Sequence, residues 1–271
     1  AVRGGDFEDS GPDRGNWWSW KPAKMALEYL FNGGEVMIAN RVNFQRVYDL
    51  RERVLPAWVD TSEPSADEAT RHLTARAGRA LGAFSPGHAA DYLLQKRNAV
   101  KPVLDALQKE GIFHSIRAAG ADGQPCTLLI HRDNLPLLER AADGDLPPRR
   151  TTFLSPFDSL FWGREWESLL FGYTHVVEMY KPSAQRLWGY FSLPMLHRDQ
   201  FVGRFDPKLE RASGTLRIRA IHLEPGIEPD EELIAALAAT FRDFAAFHDA
   251  RNLIIERSQP AELAEKLLRA L

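Results

Sequence analysis

The sequence predicts an α+β fold in which two modules, each built of helices and a hairpin, precede a small antiparallel β-barrel and C-terminal helices. Three observations predict it. A helical run followed by two strand-like runs occurs twice, strand-like runs at short spacing come next, and amphipathic helical runs close the chain. The domain boundaries that follow from this pattern are 1–60, 61–146, 147–227 and 228–271.

The first module contains one clear helical run. Its apolar residues show the i, i+3, i+4, i+7 spacing of a helix face: Ala23, Ala26, Leu27 and Leu30. Pro22 suits the first turn, where its missing N–H is not needed, and Gly33 and Gly34 end the helix. Strand-like runs at 35–39 and 45–49 follow, joined by a polar turn.

The second module repeats this order and is more complete. Val100, Val103, Leu104 and Leu107 show the same helical spacing. Helical runs at 67–81 and 85–95 precede them, and strand-like runs at 112–117 and 126–130 follow. Three helices and a hairpin form the winged-helix arrangement, a variant of helix-turn-helix. We therefore expect tandem winged-helix modules, the first of them truncated at its N-terminus, in a chain that is a fragment of a longer protein.

Residues 147–227 and 228–271 show other sequence patterns than these two modules. Turn-forming residues separate four short strand-like runs, which predicts an antiparallel meander or barrel: 175–180, 187–193, 200–205 and 215–223. A helix is expected over 228–250, where acidic residues occupy the first turn, and a last helix is expected to open at Ser258.

Composition limits the function classes. The chain has 271 residues, a formal net charge of −3 and a single cysteine, Cys126, so it has no internal disulfide and no cysteine-rich zinc site. Its apolar runs are shorter than the roughly 18 residues that span a membrane. A nucleic-acid partner would need locally clustered Lys and Arg, because the chain as a whole is not basic. We expect a cytoplasmic protein without cofactor, metal or membrane partner.

Several cations are candidates for phosphate contact. In the first module they are Lys21, Lys24, Arg41 and Arg46. In the second module they are Arg97, Lys101 and Arg117. In the barrel segment they are Arg149, Arg150, Arg204, Lys208, Arg211, Arg217 and Arg219. For each group the alternative is an ordinary solvated face, and wing arginines such as Arg41 and Arg46 favour DNA contact most.

Two aromatic clusters have competing interpretations. Trp17, Trp18 and Trp20 could stack on bases, although clamping the loop onto a neighbouring helix is the more ordinary role. Asp158 and Arg164 flank Trp162, and a carboxylate near aromatic rings can act in catalysis. A structural tie between Asp158 and Arg164 or the backbone is the alternative that we favour.

Two long runs resemble the YcaQ/AlkZ family of winged-helix DNA glycosylases. WWSWKPAKMALEYLFNGGEVMIANR with RVYDLRERVLP resembles the family's second winged-helix module. FLSPFDSLFWGREWESLLFGYTHVVEMYKP with RLWGYFSLPMLHRDQFVGRFDPK resembles its C-terminal β-barrel. The resemblance implies three tandem winged helices in a curved scaffold plus a barrel. It also implies release of alkylated purines and unhooking of DNA interstrand crosslinks by hydrolysis of N-glycosidic bonds.

The resemblance implies no catalytic residue in this chain. The family's catalytic motif, Gln-x-Asp or Gln-x-Gln, belongs to the first of the three modules, and no stretch here matches it in that context. We therefore expect the DNA-binding portion of a glycosylase, inactive alone, that acts as a monomer on damaged double-stranded DNA in the nucleoid. The alternatives are a non-catalytic winged-helix transcriptional regulator or architectural protein, and an interaction scaffold whose winged helices contact protein.

Overall fold

The computed structural model describes residues 1–7, 22–163 and 165–271. The predicted mixed α+β class is confirmed, and the chain divides into two compact units, Ala1–Pro64 and Ser65–Leu271. Five residues with predicted roles lie outside the described residues: Trp17, Trp18, Trp20, Lys21 and Arg164. Their roles stay predictions.

The first unit is a helix followed by a hairpin and a short helix. Its elements are α1 (Pro22–Asn32), β1 (Val36–Val42), β2 (Gln45–Leu50) and α2 (Arg51–Val54). Gly34 ends α1 with φ 78°, a left-handed conformation that glycine adopts without a steric penalty. Leu27 of α1 packs with Val36 and Tyr48 of the hairpin to form the buried core, so the helix and hairpin support each other.

The second unit begins with helices and a small sheet. Its elements are α3 (Ala66–Leu81), β3 (Ala83–Phe84), α4 (Pro86–Tyr92), α5 (Arg97–Lys109), β4 (Phe113–Ala119), β5 (Pro125–His131) and α6 (Leu135–Ala142). Ser65 and Glu68 form a capping box that starts α3. The strands pair antiparallel in the order β3-β5-β4. The element order is the one that the sequence predicts for residues 61–146.

An antiparallel meander follows, with strands β6 (Thr151–Phe153), β7 (Leu193–His197), β8 (Gln200–Glu210) and β9 (Thr215–Leu223). Bulges at Met195/Leu196 and Asp206/Pro207 interrupt the regular register. Bulges bend strands and increase their twist, and the sheet is curled into a half-barrel. The predictions for β8 and β9 are confirmed.

The strand predicted at 175–180 is absent from the described structure, and of the strand predicted at 187–193 only Leu193, the first residue of β7, is in a strand. The segment before β7 is irregular apart from one short turn of helix at 183–185. It follows a short helix, α7 (Trp166–Phe171). Buried side chains hold the segment in place of a strand ladder. The carboxylate of Glu178 is fully buried and accepts hydrogen bonds from the backbone N–H of Trp188 at 2.6 Å and from Nζ of Lys181 at 3.1 Å.

The C-terminal region contributes strands as well as helices. It forms α8 (Glu231–Phe247), β10 (Asn252–Ile255), β11 (Ser258–Gln259) and α9 (Glu262–Ala270). The prediction of helices alone for residues 228–271 is therefore incomplete. Both strands pair parallel with β9, because α8 carries the chain back along the sheet as a crossover. Phe205, Met195, Leu237, Phe241 and Leu263 lie in the core between the sheet and these helices.

Candidate nucleic-acid interface

The hairpin of the first unit ends in a two-residue turn that exposes Arg41. Arg41 pairs in register with Arg46, and Asn43 and Phe44 form the turn with φ of 48° and 65°. The guanidinium of Arg41 makes one long hydrogen bond, 3.4 Å from Nη1 to the carbonyl oxygen of Phe44. Among the described residues no carboxylate pairs with Arg41, so its charge is available to an anionic partner.

Arg46, on the opposite strand, is held by the unit itself. Its Nη1 donates to both carboxylate oxygens of Glu28 at 2.9 and 2.8 Å, and its guanidinium lies 5.3 Å from the ring centroid of Phe31. The hydroxyl of Tyr48 donates to the same carboxylate at 3.1 Å. These contacts give Arg46 a structural role that anchors β2 to α1. Lys24 is exposed on α1.

In the second unit, too, one candidate cation is ion-paired and the others are not. Arg97, the first residue of α5, donates to both carboxylate oxygens of Asp91 at 3.2 and 2.7 Å. Lys101, one turn further along α5, and Arg117 on β4 are exposed. No carboxylate within the described part of the chain pairs with either side chain. The helix and the strand thus present cations whose charge is not neutralised locally.

Arg149 and Arg150 lie in an exposed stretch just before β6. Arg149 borders an open depression of about 620 Å³ that Thr151, His197 and Arg198 also line. Arg198 is ion-paired with Glu232, whereas neither Arg149 nor Arg150 has a carboxylate partner within residues 1–7, 22–163 and 165–271. Arg149 and Arg150 are therefore two adjacent positive charges that no carboxylate among the described residues neutralises.

The candidate arginines of the sheet differ in how far they are exposed. Arg204 is 4% exposed, and its guanidinium donates to Glu224 and lies 4.5 and 4.6 Å from the ring centroids of Tyr173 and Trp188. Arg204 therefore has no free surface for a phosphate, which corrects its assignment to the interface.

Arg217 and Arg219 are on β9. Arg217 donates to Glu210 at 3.0 Å and to Glu256 at 2.7 Å, and these hydrogen bonds raise its pKa further above the usual range. Arg219 lies 4.0 Å from Asp206 and its side chain is 40% exposed. Carboxylates therefore compete with phosphate for both arginines, and most directly for Arg217.

The loop at residues 155–163 is held by a cap and by ring contacts. Oδ1 of Asp158 accepts the backbone N–H of Leu160 at 2.9 Å, which starts a short turn of helix. Trp162 is 48% exposed, lies 5.4 Å from the ring of Tyr92 and donates from Nε1 to the carbonyl of Phe157 at 3.3 Å. Asp158 thus makes the hydrogen bond to the backbone that its structural interpretation predicts.

Two half-buried titratable groups, Glu167 and His175, lie nearby in the sequence. Burial raises the pKa of Glu167, whose Oε2 has no hydrogen-bond partner. Burial lowers the pKa of His175, whose Nε2 donates to the carbonyl of Pro156 at 2.8 Å and whose ring stacks on Phe161 at 4.0 Å. In the described part of the chain no group of three or more His, Cys, Asp or Glu side chains is placed to hold a metal ion.

The most exposed aromatic side chain of the hairpin is not among the residues predicted from the sequence. Phe44 is 94% exposed at the tip. The available signal was a two-residue turn between alternating strands, which normally contains glycine and here contains Asn-Phe.

The fold is mixed α+β, and cations without a carboxylate partner among the described residues lie on a hairpin tip, on a helix and just before β6, which makes these surfaces candidates for nucleic-acid contact. A family model described as DNA glycosylase AlkZ-like matches residues 1–247. The chain therefore belongs to the AlkZ-like DNA glycosylase family, whose members are hydrolases that act in DNA repair, and the predicted family is confirmed. Membership implies that DNA is the partner. No solved structure matches the chain. None of the described helices is both long and apolar enough to cross a membrane.

Proposed function

We propose that this chain is the DNA-binding portion of a DNA-repair glycosylase that excises alkylated purines and unhooks interstrand crosslinks. The observation that carries the proposal is the division of its cations. Arg46, Arg97, Arg204 and Arg217 are neutralised by carboxylates. Among the other candidate cations, those without a carboxylate ion pair to a described residue are Arg41, Lys101, Arg117, Arg149, Arg150, Lys208 and Arg211. The free set is the one that phosphates can reach.

The free cations also fit a winged-helix mode of binding. In this arrangement the third helix approaches the major groove and the hairpin wing contacts the backbone or minor groove. Within residues 61–146, Lys101 is exposed on the third helix, α5, and Arg117 on the first strand of the following hairpin. Residues 1–60 end in a helix and hairpin of the same kind. We propose winged-helix modules in both segments, followed by the half-barrel and the C-terminal elements.

The proposal assigns binding and no catalytic residue to this chain. Hydrolysis of an N-glycosidic bond needs a polar or acidic group that positions water and stabilises positive charge at the sugar. The catalytic motif that the family resemblance implies, Gln-x-Asp or Gln-x-Gln, does not occur in the sequence. Asp158 caps a short turn of helix, the half-buried carboxylate of Glu167 has a pKa raised by burial, and we assign a catalytic role to neither. We expect the 271-residue chain to bind duplex DNA without releasing bases.

A binding experiment with labelled duplexes tests this proposal. Fluorescence anisotropy is measured with undamaged, methylated and crosslinked duplexes of the same sequence over a series of salt concentrations. We expect binding that weakens steeply as salt rises, because phosphate contacts release counterions, with tighter binding to the damaged duplexes. A parallel assay for abasic sites is expected to stay negative.

The outcomes separate the rival functions. Tight binding to one undamaged sequence, with no preference for damage, would favour a transcriptional regulator. Release of a methylated purine by this chain would show that it contains the catalytic group. Absence of duplex binding even at low salt would overturn the proposal and favour a scaffold that contacts protein.

A further inference from the structure

Phe44 stands at the outermost point of the first hairpin. The residue is 94% exposed, so none of the described residues covers its ring. Its neighbour across the turn, Asn43, is also exposed, and both have positive φ, 48° and 65°. Exposing a phenyl ring to water forgoes the main stabilising contribution that this side chain can make.

The backbone at Phe44 is also unfavourable. A left-handed conformation brings Cβ close to the following carbonyl oxygen, so bulky residues rarely adopt it. Asn43 tolerates this conformation, and two-residue turns of this hand usually place glycine at the second position. Phe44 therefore carries both a conformational and a burial penalty without a compensating contact in the described structure. Such combinations are typical of residues that serve a binding partner.

The surroundings of Phe44 identify the chemistry of that partner. Four of the exposed residues next to it in the turn and its flanking strands are polar or positively charged, Asn40, Arg41, Asn43 and Gln45, and the exposed Val42 adds a second apolar side chain. Arginine and amide side chains are the groups that proteins use in the DNA minor groove, where apolar side chains such as Phe also insert between base pairs. The free charge of Arg41, beside the carbonyl of Phe44, suits a phosphate at the edge of that groove.

Contacts with α1 hold the base of the hairpin in place. Arg46 lies two positions beyond Phe44 and is fixed to Glu28 of α1 by two hydrogen bonds of 2.9 and 2.8 Å. Tyr48, further along β2, is buried in the core of the unit and donates to the same carboxylate. A wedge that separates stacked bases must be supported from behind, since a flexible tip would bend aside. Arg46 and Tyr48 supply this support.

We propose that Phe44 is a wedge that inserts between adjacent base pairs from the minor groove when the protein binds duplex DNA. The inference rests on the proposed function, because it assumes that duplex DNA is the partner. It adds a mode of engagement, in which the hairpin unstacks a base step and Arg41 contacts the flanking phosphate. The bases remain covalently unchanged in this step.

The test uses the 271-residue chain and duplexes that contain 2-aminopurine, whose fluorescence rises when it is unstacked. The duplexes carry the probe at successive positions, and binding is followed separately by anisotropy of an end label. We expect the wild-type protein to raise the 2-aminopurine signal at saturation. Phe44→Ala is expected to abolish that rise and to weaken binding about tenfold, the scale of one lost aromatic contact with a base. Phe44→Leu, which keeps an apolar wedge, is expected to retain most of the rise.

Two further variants serve as controls. Trp58→Ala removes an aromatic side chain that is 83% exposed and lies outside the hairpin, so the fluorescence rise should be unchanged. Phe44→Gly relieves the left-handed backbone, so it should raise the midpoint of thermal unfolding while abolishing the fluorescence rise. A stability gain together with loss of unstacking is the signature of a residue kept for binding.

The outcomes distinguish the wedge from the function on which it rests. If the wild type binds duplex but leaves 2-aminopurine stacked at every position, or if Phe44→Ala behaves as the wild type, the wedge is wrong and DNA binding stands. If the wild type does not bind duplex at low salt, the proposed function fails and the wedge fails with it.

Discussion

The guanidinium of Arg204 donates two hydrogen bonds to one carboxylate oxygen of Glu224, at 2.9 and 2.7 Å. It also donates to the carbonyl of Thr174 at 3.2 Å. Since the arginine is 4% exposed, this pair fixes the irregular segment after α7 against the sheet. A residue that was a candidate for phosphate contact on sequence grounds is therefore part of the internal structure.

Arg204→Ala is expected to lower the free energy of unfolding by about 3 kcal/mol, because it leaves Glu224 without its partner and removes a cation between two aromatic rings. Urea denaturation measures the change. Arg219→Ala is the matched control. Its contact with Asp206 is 4.0 Å long and its side chain is 40% exposed, so we expect a change within about 0.5 kcal/mol. Equal stability of Arg204→Ala and the wild type would contradict the structural role.

Arg150→Ala is expected to weaken duplex binding and to reduce the slope of log K against log salt by about one, the value for one lost phosphate contact. The reason is that Arg150 has no carboxylate partner among the described residues. Arg217→Ala removes the same charge from a site where Glu210 and Glu256 already neutralise it, so it should leave the slope unchanged. Anisotropy titrations over a salt series measure both. Identical slopes for the two variants would remove Arg150 from the interface.

Stability is expected to fall as the pH is lowered from about 7.5 to about 6. Burial lowers the pKa of His131, His175 and His222 below the ordinary 6.5. As the pH falls through that ordinary value, the unfolded chain takes up protons before the folded protein does, and the folded state loses its advantage. Chemical denaturation at the two pH values measures the loss.

His175→Gln tests the assignment of this pH dependence. Glutamine can still donate to the carbonyl of Pro156 but does not titrate, so the difference in stability between the two pH values should shrink. An undiminished difference would assign the effect to the other two histidines.

Gly78→Ala is expected to destabilise the protein by about 1–3 kcal/mol. Alanine normally favours a helix over glycine by about 1 kcal/mol. At this position of α3, however, a Cβ atom would lie 2.6 Å from Cε1 of Phe113 and 2.7 Å from Cζ of Phe84. Gly87→Ala in α4 is the control. The nearest atom there is 3.7 Å away, so the substitution should be neutral or slightly stabilising. Thermal unfolding of both variants decides the sign.

The helices and the longest strands were predictable because their signals are local. The apolar spacing around Leu104 and Leu107 marks α5, and alternation along residues 215–223 marks β9. Strand-like composition misled at 175–180, where the segment is held by the buried carboxylate of Glu178 and by ring stacking. No local sequence pattern predicts that the carboxylate of Glu178, ten residues before Trp188, accepts the backbone N–H of Trp188.

The sequence by itself determined the family, the mixed α+β class and the order of the helices and hairpins, because hydrophobic periodicity, caps and long shared motifs are written along the chain. Only the tertiary structure decided which cations are free. Arg41 and Arg46 are equivalent in the sequence, yet Glu28, eighteen residues before Arg46, neutralises one and not the other. The parallel pairing of β10 and β11 with β9 likewise depends on the tertiary structure. In each case the deciding partner is distant in sequence, so the contact exists only once the chain has folded.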